Sequence, residues 1–186
     1  MNIIDQLAFL QKAENLKNTL RSAHTSSGRN ESSAEHTWRL CLMILTFEKQ
    51  LDGLDVTKLL KLAVIHDLAE AIYGDIPAIE QSATSSKAEM EKQAMNELLA
   101  DLPSGIRQVF FDLWEEYEEL RSDEAKFLKG LDKLETILQH NQGLNAPDFN
   151  YEFNLSYGQE YMSAHPLLTE LRSLLDKRTL ERTQER

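Results

Sequence analysis

Apolar residues recur along this chain at the three- and four-residue spacing of amphipathic helices, and alternating strand patterns are absent. The first predicted helix has Ile3, Leu7 and Leu10 on its apolar stripe, the second runs from residues 34–36 to about 51, and a central helix covers 56–73. A fourth covers 86–101, and a fifth begins at Pro103 and carries Ile106 to Tyr117. A sixth is capped by Ser122 or Asp123 and carries Phe127 to Leu138, and the last covers about 159–180, with Pro166 as a possible interruption.

Capping signals mark several of these boundaries. Ser32 with Glu35, and Ser86 with Glu89, have the spacing of capping boxes, and Asp55 is a predicted N-cap. The other predicted boundaries and connections are Gly74 as a C-terminal stop followed by Pro77, a Ser-rich polar loop over 22–34, an aromatic loop over 143–157 and a polar, frayed tail over 181–186. No internal linker divides the chain, so the pattern predicts a single all-α domain over residues 1–186, a bundle of about six to eight helices.

Composition narrows the classes of function. The 186 residues carry 31 acidic and 20 basic side chains, a net charge of −11. An acidic surface disfavours nucleic-acid polymers and polybasic membrane binding. No apolar run approaches the ~20 residues of a membrane span, and a single cysteine, Cys41, excludes an internal disulfide and a Cys-rich zinc cluster. We expect a protein of the cytoplasm with no membrane partner.

Polar residues interrupt the apolar segments at a few positions. His66 and Asp67 lie in the most apolar helix, with Glu70 three residues after Asp67. His36 and Asp132 lie in apolar surroundings on two other helices. Buried without partners, such groups would each cost several kcal/mol. Two imidazoles and two carboxylates suit Mn²⁺, Co²⁺, Fe²⁺, Ni²⁺ or Zn²⁺ with open positions for water and substrate, but a single helical His is more often structural, and spacing alone does not define a site.

Three longer segments carry a resemblance. AVIHDLAEAIYGDIP, LWEEYEELRSDEAKFLKGLDKLETILQ and SSAEHTWRL, together covering the pattern H…HD…D, resemble the HD-domain metal-dependent phosphohydrolases, in particular the bacterial 5′-deoxynucleotidases and their eukaryotic HD-domain relatives. The resemblance spans about residues 5–145. It implies an HD-type helical bundle and a metal-dependent hydrolase that cleaves the 5′-phosphate of deoxyribo- or ribonucleoside monophosphates, releasing nucleoside and inorganic phosphate.

The resemblance also implies roles for individual residues. One divalent ion (Mn, Co, Fe, Ni, Zn or Mg) would be bound by His36, His66, Asp67 and Asp132. Glu70 would orient or deprotonate the attacking water, and Asp75 would contact the sugar hydroxyl and position a second water. The nucleotide pocket would contain Arg21 as the phosphate ligand together with Asp75, Ile76, Pro77 and Ala78. Ser22 stands where many bacterial relatives have Trp, which puts base stacking by that side chain in doubt. A homodimer is expected from the same resemblance, with a face at Trp114 and Tyr117; core packing of that pair is the alternative.

Other functions and roles stay open. An HD-type triphosphohydrolase or cyclic-nucleotide phosphodiesterase is the alternative enzyme, and a metal- or nucleotide-sensing helical module is the non-catalytic one. Glu70 occupies the position at which two-metal relatives tend to supply a further His, which favours one metal. Arg29 is a phosphate contact or a solvated loop group, and Arg39 braces the metal face or has a surface or ion-pair role. Lys129 could contact phosphate or pair with Asp75 or Glu70. We expect His24, His140 and His165 at the surface. The loop over 143–157 could pack over the domain, line the pocket or contact a partner subunit.

Overall fold

The computed structural model of the protein describes residues 3–76 and 85–185, with the side chains of 85–87 left out. In this part of the chain the fold is mostly helical, as the sequence predicts. The helices are α1 (Ile3–Ala13), α2 (Ser33–Thr46), α3 (Val56–Ile65), α4 (Glu70–Tyr73), α5 (Ser85–Leu98), α6 (Ser104–Glu118), α7 (Asp123–Gln142) and α8 (Pro166–Gln184), with 3₁₀ turns at Glu14–Lys17, Glu48–Gln50, Tyr151–Leu155 and Gln159–Ala164.

The apolar residues form two adjoining cores. One joins α2, α3, α7 and α8 and includes Leu40, Leu59 and Leu128. The other joins α1, α5, α6 and the chain after α3, and includes Phe9 and Met95. Because α3 and its C-terminal turn contribute to both cores, the polar residues that follow α3 lie in the interior of the domain.

Predicted helix caps are confirmed at three positions. The Ser32 side chain accepts a hydrogen bond from the Glu35 amide while the Glu35 carboxylate accepts one from the Ser32 amide, so the capping box of α2 is complete. The side chains of Asp55 and Ser122 likewise accept a backbone hydrogen bond at the N-termini of α3 and α7. The predicted box at Ser86 and Glu89 falls partly on side chains outside the described set.

The prediction of one continuous central helix over 56–73 is wrong. α3 ends at Ile65, residues 66–69 form turns, and the short helix α4 resumes at Glu70. Gly74, at φ +88°, ends α4 as predicted. Across the break, the Leu68 amide donates to the Ile65 carbonyl and the Glu70 amide donates to the Asp67 carbonyl, which is 3₁₀-type and not α-helical bonding. Asp67 and Glu70 therefore do not share a regular helical face.

The polar loop predicted over 22–34 contains most of a small hairpin that no alternating pattern indicates. Residues Leu20–His24 (β1) and Asn30–Ser32 (β2) pair as antiparallel strands with an irregular register, and β1 begins two residues before the predicted loop. The hairpin lacks strand alternation and is held by α7 instead. Arg21 donates a hydrogen bond to the Thr136 hydroxyl, and the Gln139 amide donates one to the His24 carbonyl.

Three further expectations need correction. The apolar stripe of α1 faces solvent, with Leu10 59% exposed, while Phe9 is buried. The last helix is interrupted before Pro166 as suggested, but α8 continues to Gln184 through much of the expected frayed tail. Trp114 and Tyr117 are buried in the core, so they cannot form a dimer face. No helix among residues 3–76 and 85–185 is long and apolar enough to cross a membrane.

Candidate metal centre and its cavity

Four predicted ligand residues converge from three helices. His36 lies in the second turn of α2, His66 caps the C-terminus of α3, Asp67 follows in the turn, and Asp132 lies in the middle of α7. The His36 Nε2 atom is 3.1 Å from Asp132 Oδ1 and 3.7 Å from Asp67 Oδ2, and His66 Nε2 is 3.1 Å from the same Asp67 oxygen. The structure therefore brings together residues that are up to 96 positions apart in sequence.

Contacts to the Nδ1 atoms fix the orientation of both imidazoles. His66 Nδ1 is 2.7 Å from the Ala63 carbonyl oxygen, to which it can only donate, and His36 Nδ1 contacts the Glu135 carboxylate. Each Nε2 then faces Asp67 or Asp132, yet among the described residues neither of these buried nitrogens has a hydrogen-bond partner. Unpartnered buried nitrogens beside carboxylates are the donors that a divalent cation requires, so these residues fit such an ion.

The charge balance agrees with this fit. Burial and Arg21 lower the pKa of His36, but Glu135 and Asp132 outweigh them and raise it to about 10. Burial raises the pKa of Asp67, but the two imidazoles hold it below the usual value for Asp. The carboxylates thus create a negative potential strong enough to retain a proton on His36, and a cation placed between the two Nε2 atoms would satisfy the same potential.

A second acidic group lies behind His36. Atoms of Glu31, His36 and Glu135 come within 4.8 Å of one another. Arg39 forms an ion pair with Glu135, and Arg21 Nε lies 3.5 Å from Glu31. Two guanidinium groups already balance these carboxylates, so this cluster holds His36 in place rather than offering a free metal site. The bracing role considered for Arg39 is therefore the one that the geometry favours.

Glu70 and Asp75 form a carboxyl pair next to Asp67. The Ser33 hydroxyl donates a hydrogen bond of 2.6 Å to Glu70 Oε2. Burial, with the negative charges of Asp67 and Asp75, raises the pKa of Glu70 to about 9. Burial also raises the pKa of Asp75, against the opposing charge of Arg21 and a hydrogen bond from Glu70. The pair can therefore hold a proton between two carboxylates and exchange it with a neighbouring group.

Arg21 lies at the edge of the same group. Its Nη1 is 3.7 Å from Asp67 Oδ2, and its Nη2 donates to Thr136. Burial opposes the charged form, but Asp67 and Glu135 keep the pKa of Arg21 above its ordinary value, so the guanidinium stays charged. A charged guanidinium beside the candidate metal ligands is suited to bind oxygens of a phosphate.

A cavity of about 310 Å³ opens from this cluster. Its walls include the predicted residues Arg21, His66, Asp67, Glu70, Asp75 and Asp132, and also Ser22, Lys129, Lys133, Thr136, His140, Phe149, Phe153 and Tyr157. Ile76 is half-buried and is not among the described lining residues, while Pro77 and Ala78 lie outside the described part of the chain.

Several side chains differ from their predicted positions. His140, expected at the surface, is only 6% exposed because Asn154 binds its Nδ1 atom, whereas His24 and His165 are half-buried. Lys129 does not reach Asp75 or Glu70; its Nζ lies 3.5 Å from Glu118 and 4.2 Å from the Tyr117 ring centre. Arg29 pairs with Glu35 at the surface and does not line the cavity.

Sequence reasoning missed two residues at the metal end. Lys133 donates a hydrogen bond of 3.0 Å to Asp132 Oδ2, and Glu135 contacts His36. Glu135 could have been found as a polar residue between the apolar Leu134 and Ile137, since the same signal identified Asp132. Gly158, at φ +71°, passes so close to Lys133 that a Cβ atom would lie 2.6 Å from the Lys133 Cβ.

The aromatic loop over 143–157 lines the pocket, which was one of three alternatives from sequence. Phe149, Phe153 and Tyr157 face the cavity, and Tyr151–Leu155 forms a 3₁₀ turn. The segment also packs over the domain, because Tyr151 and Asn154 are buried and Arg172 binds its carbonyls, whereas contact with a partner subunit stays a prediction.

Comparison with known proteins places this geometry in context. The sequence model described as HD domain matches residues 13–172. The chain is 33% identical over 175 residues to the mouse protein named 5′-deoxynucleotidase HDDC2, covering 91% of this chain and 86% of that protein. It is 36% identical over 138 residues to the human protein of the same name, covering 73% and 67%.

Solved structures share the fold. A protein of Magnetospirillum magnetotacticum MS-1, described as a predicted metal-dependent phosphohydrolase, superposes with a TM-score of 0.83 at 23% identity, over 97% of this chain and 94% of that one. The PH0347 protein of Pyrococcus horikoshii OT3 superposes with a TM-score of 0.70 at 27% identity, over 93% and 98%.

Proposed function

Because the chain belongs to the HD domain family, we propose that it is a metal-dependent 5′-nucleotidase that releases inorganic phosphate from deoxyribonucleoside 5′-monophosphates. The observation that carries the proposal is the pair of buried, unpartnered Nε2 atoms of His36 and His66, which face Asp67 and Asp132 at one end of a cavity. The 5′-deoxynucleotidase names of the mouse and human relatives support this substrate class.

The proposed cofactor is one divalent ion per chain, bound by His36, His66, Asp67 and Asp132. When bound, it supplies a Lewis acid for a phosphoryl oxygen and lowers the pKa of water. Nitrogen and oxygen donors in equal number suit Mn, Co, Fe, Ni or Zn better than Mg. The clustered carboxylates of the cavity create a negative potential that favours binding of a cation at this position.

Two side chains have separate proposed roles toward the substrate, namely phosphate binding and proton transfer. Arg21 binds phosphate oxygens and offsets their charge as an attacking water approaches phosphorus in line with the leaving 5′-oxygen. Glu70, held by Ser33, accepts the proton from that water. Burial and two neighbouring carboxylates raise the pKa of Glu70. A cation bound at Asp67 would offset the charge of one of these carboxylates, which favours the ionised form of Glu70 that accepts a proton.

Asp75 is the proposed contact to the sugar hydroxyl, because it follows Glu70 along the same cavity wall. Ile76, Pro77 and Ala78 stay predictions as pocket residues. A cytoplasmic homodimer likewise stays a prediction, and its face would lie away from the buried Trp114 and Tyr117.

The charge of the cavity favours monophosphates over triphosphates. Its described cationic side chains are Arg21, Lys129 and Lys133. Lys133 is paired with Asp132, and Lys129 lies near Glu118 and over the Tyr117 ring. Arg21 likewise lies near Asp67 and Glu31, so all three cations already neighbour carboxylates, and a polyphosphate would bring far more negative charge than these groups can balance.

A substrate panel tests the proposal. The metal-reconstituted protein is incubated with mono-, di- and triphosphates and cyclic nucleotides, and released phosphate is measured. We expect release from 5′-monophosphates, reduced about 10²- to 10⁴-fold in Glu70→Gln with the metal content unchanged, because only the proton acceptor is removed. Glu119→Gln, on the surface, is the matched control.

Other outcomes contradict the proposal. Release of tripolyphosphate from triphosphates would favour the triphosphohydrolase alternative. Stoichiometric nucleotide binding with no turnover would favour the sensing module. Full activity of Glu70→Gln would remove Glu70 from the proposed chemistry.

A further inference from the structure

One face of α7 runs along the length of the cavity. Asp132, Thr136 and His140 are spaced four residues apart and all line it. At 1.5 Å per residue, His140 lies about 12 Å along the helix from Asp132. Arg21 binds Thr136, between these two positions. Measured from the metal end and past Arg21, the cavity therefore extends for a distance comparable to the length of a whole nucleoside 5′-monophosphate.

The walls change character along this distance. Near Asp132 they are charged, and the segment after α7 adds aromatic rings along the cavity, from Tyr157 beside Lys133 to Phe153, whose neighbour Asn154 contacts His140. Tyr157 is 5.2 Å from the Lys133 ammonium, and Phe153 stacks on Tyr157 with ring centres 5.0 Å apart and planes 30° apart. Both rings line the cavity and remain partly accessible. Ser22 lines the same cavity with a small side chain and offers no ring.

The aromatic wall has a fixed backbone. Arg172 of α8 is buried and donates hydrogen bonds to the carbonyls of Asn154, Leu155 and Tyr157, while its Nε binds Asp176. These bonds hold both ends of the segment that carries Phe153 and Tyr157. A stacking surface held in advance loses little conformational freedom when a flat ligand binds to it.

His140 adds a polar group at the same end. Its Nδ1 lies 2.8 Å from the Asn154 side-chain oxygen, which can only accept a hydrogen bond. Nδ1 is therefore the protonated nitrogen, and Nε2 is left as an acceptor. Burial lowers the pKa of His140, so the ring is neutral. A neutral acceptor beside aromatic rings suits the N–H or NH₂ edge of a flat heterocycle.

We propose that this end of the cavity is the nucleobase subsite, with Phe153, backed by the Tyr157 ring, as its stacking surface and His140 as a hydrogen-bond acceptor for the base edge. The inference rests on the proposed function, because it takes the phosphate to lie at the Arg21 end. In this chain the C-terminal wall would supply the stacking that the residue at position 22 cannot.

A substrate without a base isolates this contribution. For each variant, kcat/KM is measured for dAMP and for 2-deoxyribose 5-phosphate, and the ratio of the two values is compared. We expect a parent ratio well above one and a ratio about 10-fold lower in Phe153→Leu, since stacking on an aromatic ring is lost while apolar bulk is kept. Phe153→Tyr should restore the parent ratio.

Controls separate the subsite from general damage. Trp38→Leu removes an exposed aromatic residue that does not line the cavity, and its ratio should equal that of the parent. If Phe153→Leu fails to fold, Phe153→Met, which also keeps apolar bulk without a ring, replaces it. The Kd of deoxyadenosine, measured by calorimetry, should rise in parallel with the loss of the ratio.

Two results would overturn the inference in different ways. Hydrolysis of dAMP with an unchanged ratio and an unchanged deoxyadenosine Kd in Phe153→Leu would reject the subsite and leave the proposed function standing. Absence of phosphate release from every monophosphate, in protein shown to contain metal, would reject the proposed function and the subsite with it.

Discussion

The two ends of the cavity are built in different ways. At the metal end, His36 and Asp132 come from long helices, and Asp67 follows a helix terminus. At the aromatic end, Phe153 and Tyr157 come from the irregular connection between α7 and α8. The first end is held by ion pairs among its own side chains, whereas the second is held by an arginine that binds backbone carbonyls.

Under the proposed function, this difference would separate the reaction from the choice of substrate. Charged groups at the metal end depend on each other, so the loss of one changes its neighbours. The aromatic wall makes few charged contacts, of which Lys133 to Tyr157 is one. Changes at the aromatic end should therefore alter which substrate binds, and changes at the metal end should alter whether any substrate reacts.

The largest expected effect is at Asp67. Asp67→Ala should reduce bound metal from one ion per chain to background and abolish phosphate release, because the carboxylate shared by both histidines is removed. Folding should survive, since the change also removes a negative charge near Glu70 and Asp132. Elemental analysis and thermal unfolding measure the two results. Asp123→Ala, 83% exposed in its side chain, is the control, and equal metal in both variants would contradict the site.

A smaller effect is expected at Glu135, which we regard as a positioning residue. Glu135→Gln weakens the contact to His36 Nδ1 and removes the nearer of the two carboxylates that pair with Arg39, leaving Glu31 at 3.8 Å. Metal affinity should fall about 10- to 100-fold, as measured by competition with a chelator. At saturating metal the KM for the nucleotide should stay near that of the parent.

The control for Glu135 is Glu181→Gln at the surface of α8. An unchanged metal Kd in Glu135→Gln would show that His36 is oriented without this carboxylate. A raised KM with unchanged metal affinity would instead place Glu135 in substrate binding.

The smallest effect on the reaction is expected at Arg172. Arg172→Met keeps the buried chain but loses the bonds to three carbonyls, so the free energy of unfolding should fall by roughly 3 kcal/mol. Metal content should be unchanged, while the dAMP to deoxyribose 5-phosphate ratio should fall. Arg178→Met, on the exposed face of α8, is the control. Loss of metal in Arg172→Met would show that the two ends are not independent.

The residues of the metal end could be named from sequence because three segments resemble a known family, whereas the local signal alone left the site undefined. His66, Asp67 and Asp132 are polar residues in apolar helical segments, and burial of such groups is improbable without a shared purpose. The caps at Ser32, Asp55 and Ser122 also depend on residues a few positions away, and all three are confirmed.

The remaining features depend on contacts between distant segments. No Pro or Gly in the sequence indicates the break after Ile65. The hairpin at Leu20–His24 depends on contacts with α7. His140 looks like a surface residue until Asn154 is placed next to it. The role of Phe153 likewise depends on Arg172, a residue on another element. Helical periodicity carries no information about such partners.

Gly158 lies where the two ends of the cavity meet, in tight contact with Lys133. Any side chain there would need both a left-handed backbone and room already filled by the stem of Lys133, whose ammonium group joins Asp132 to the Tyr157 ring. A single added methyl would be transmitted in both directions, to an oxygen ligand of the candidate cation and to the ring that backs the proposed stacking surface. Glycine at this point lets catalytic and selective surfaces stay in register within one small domain.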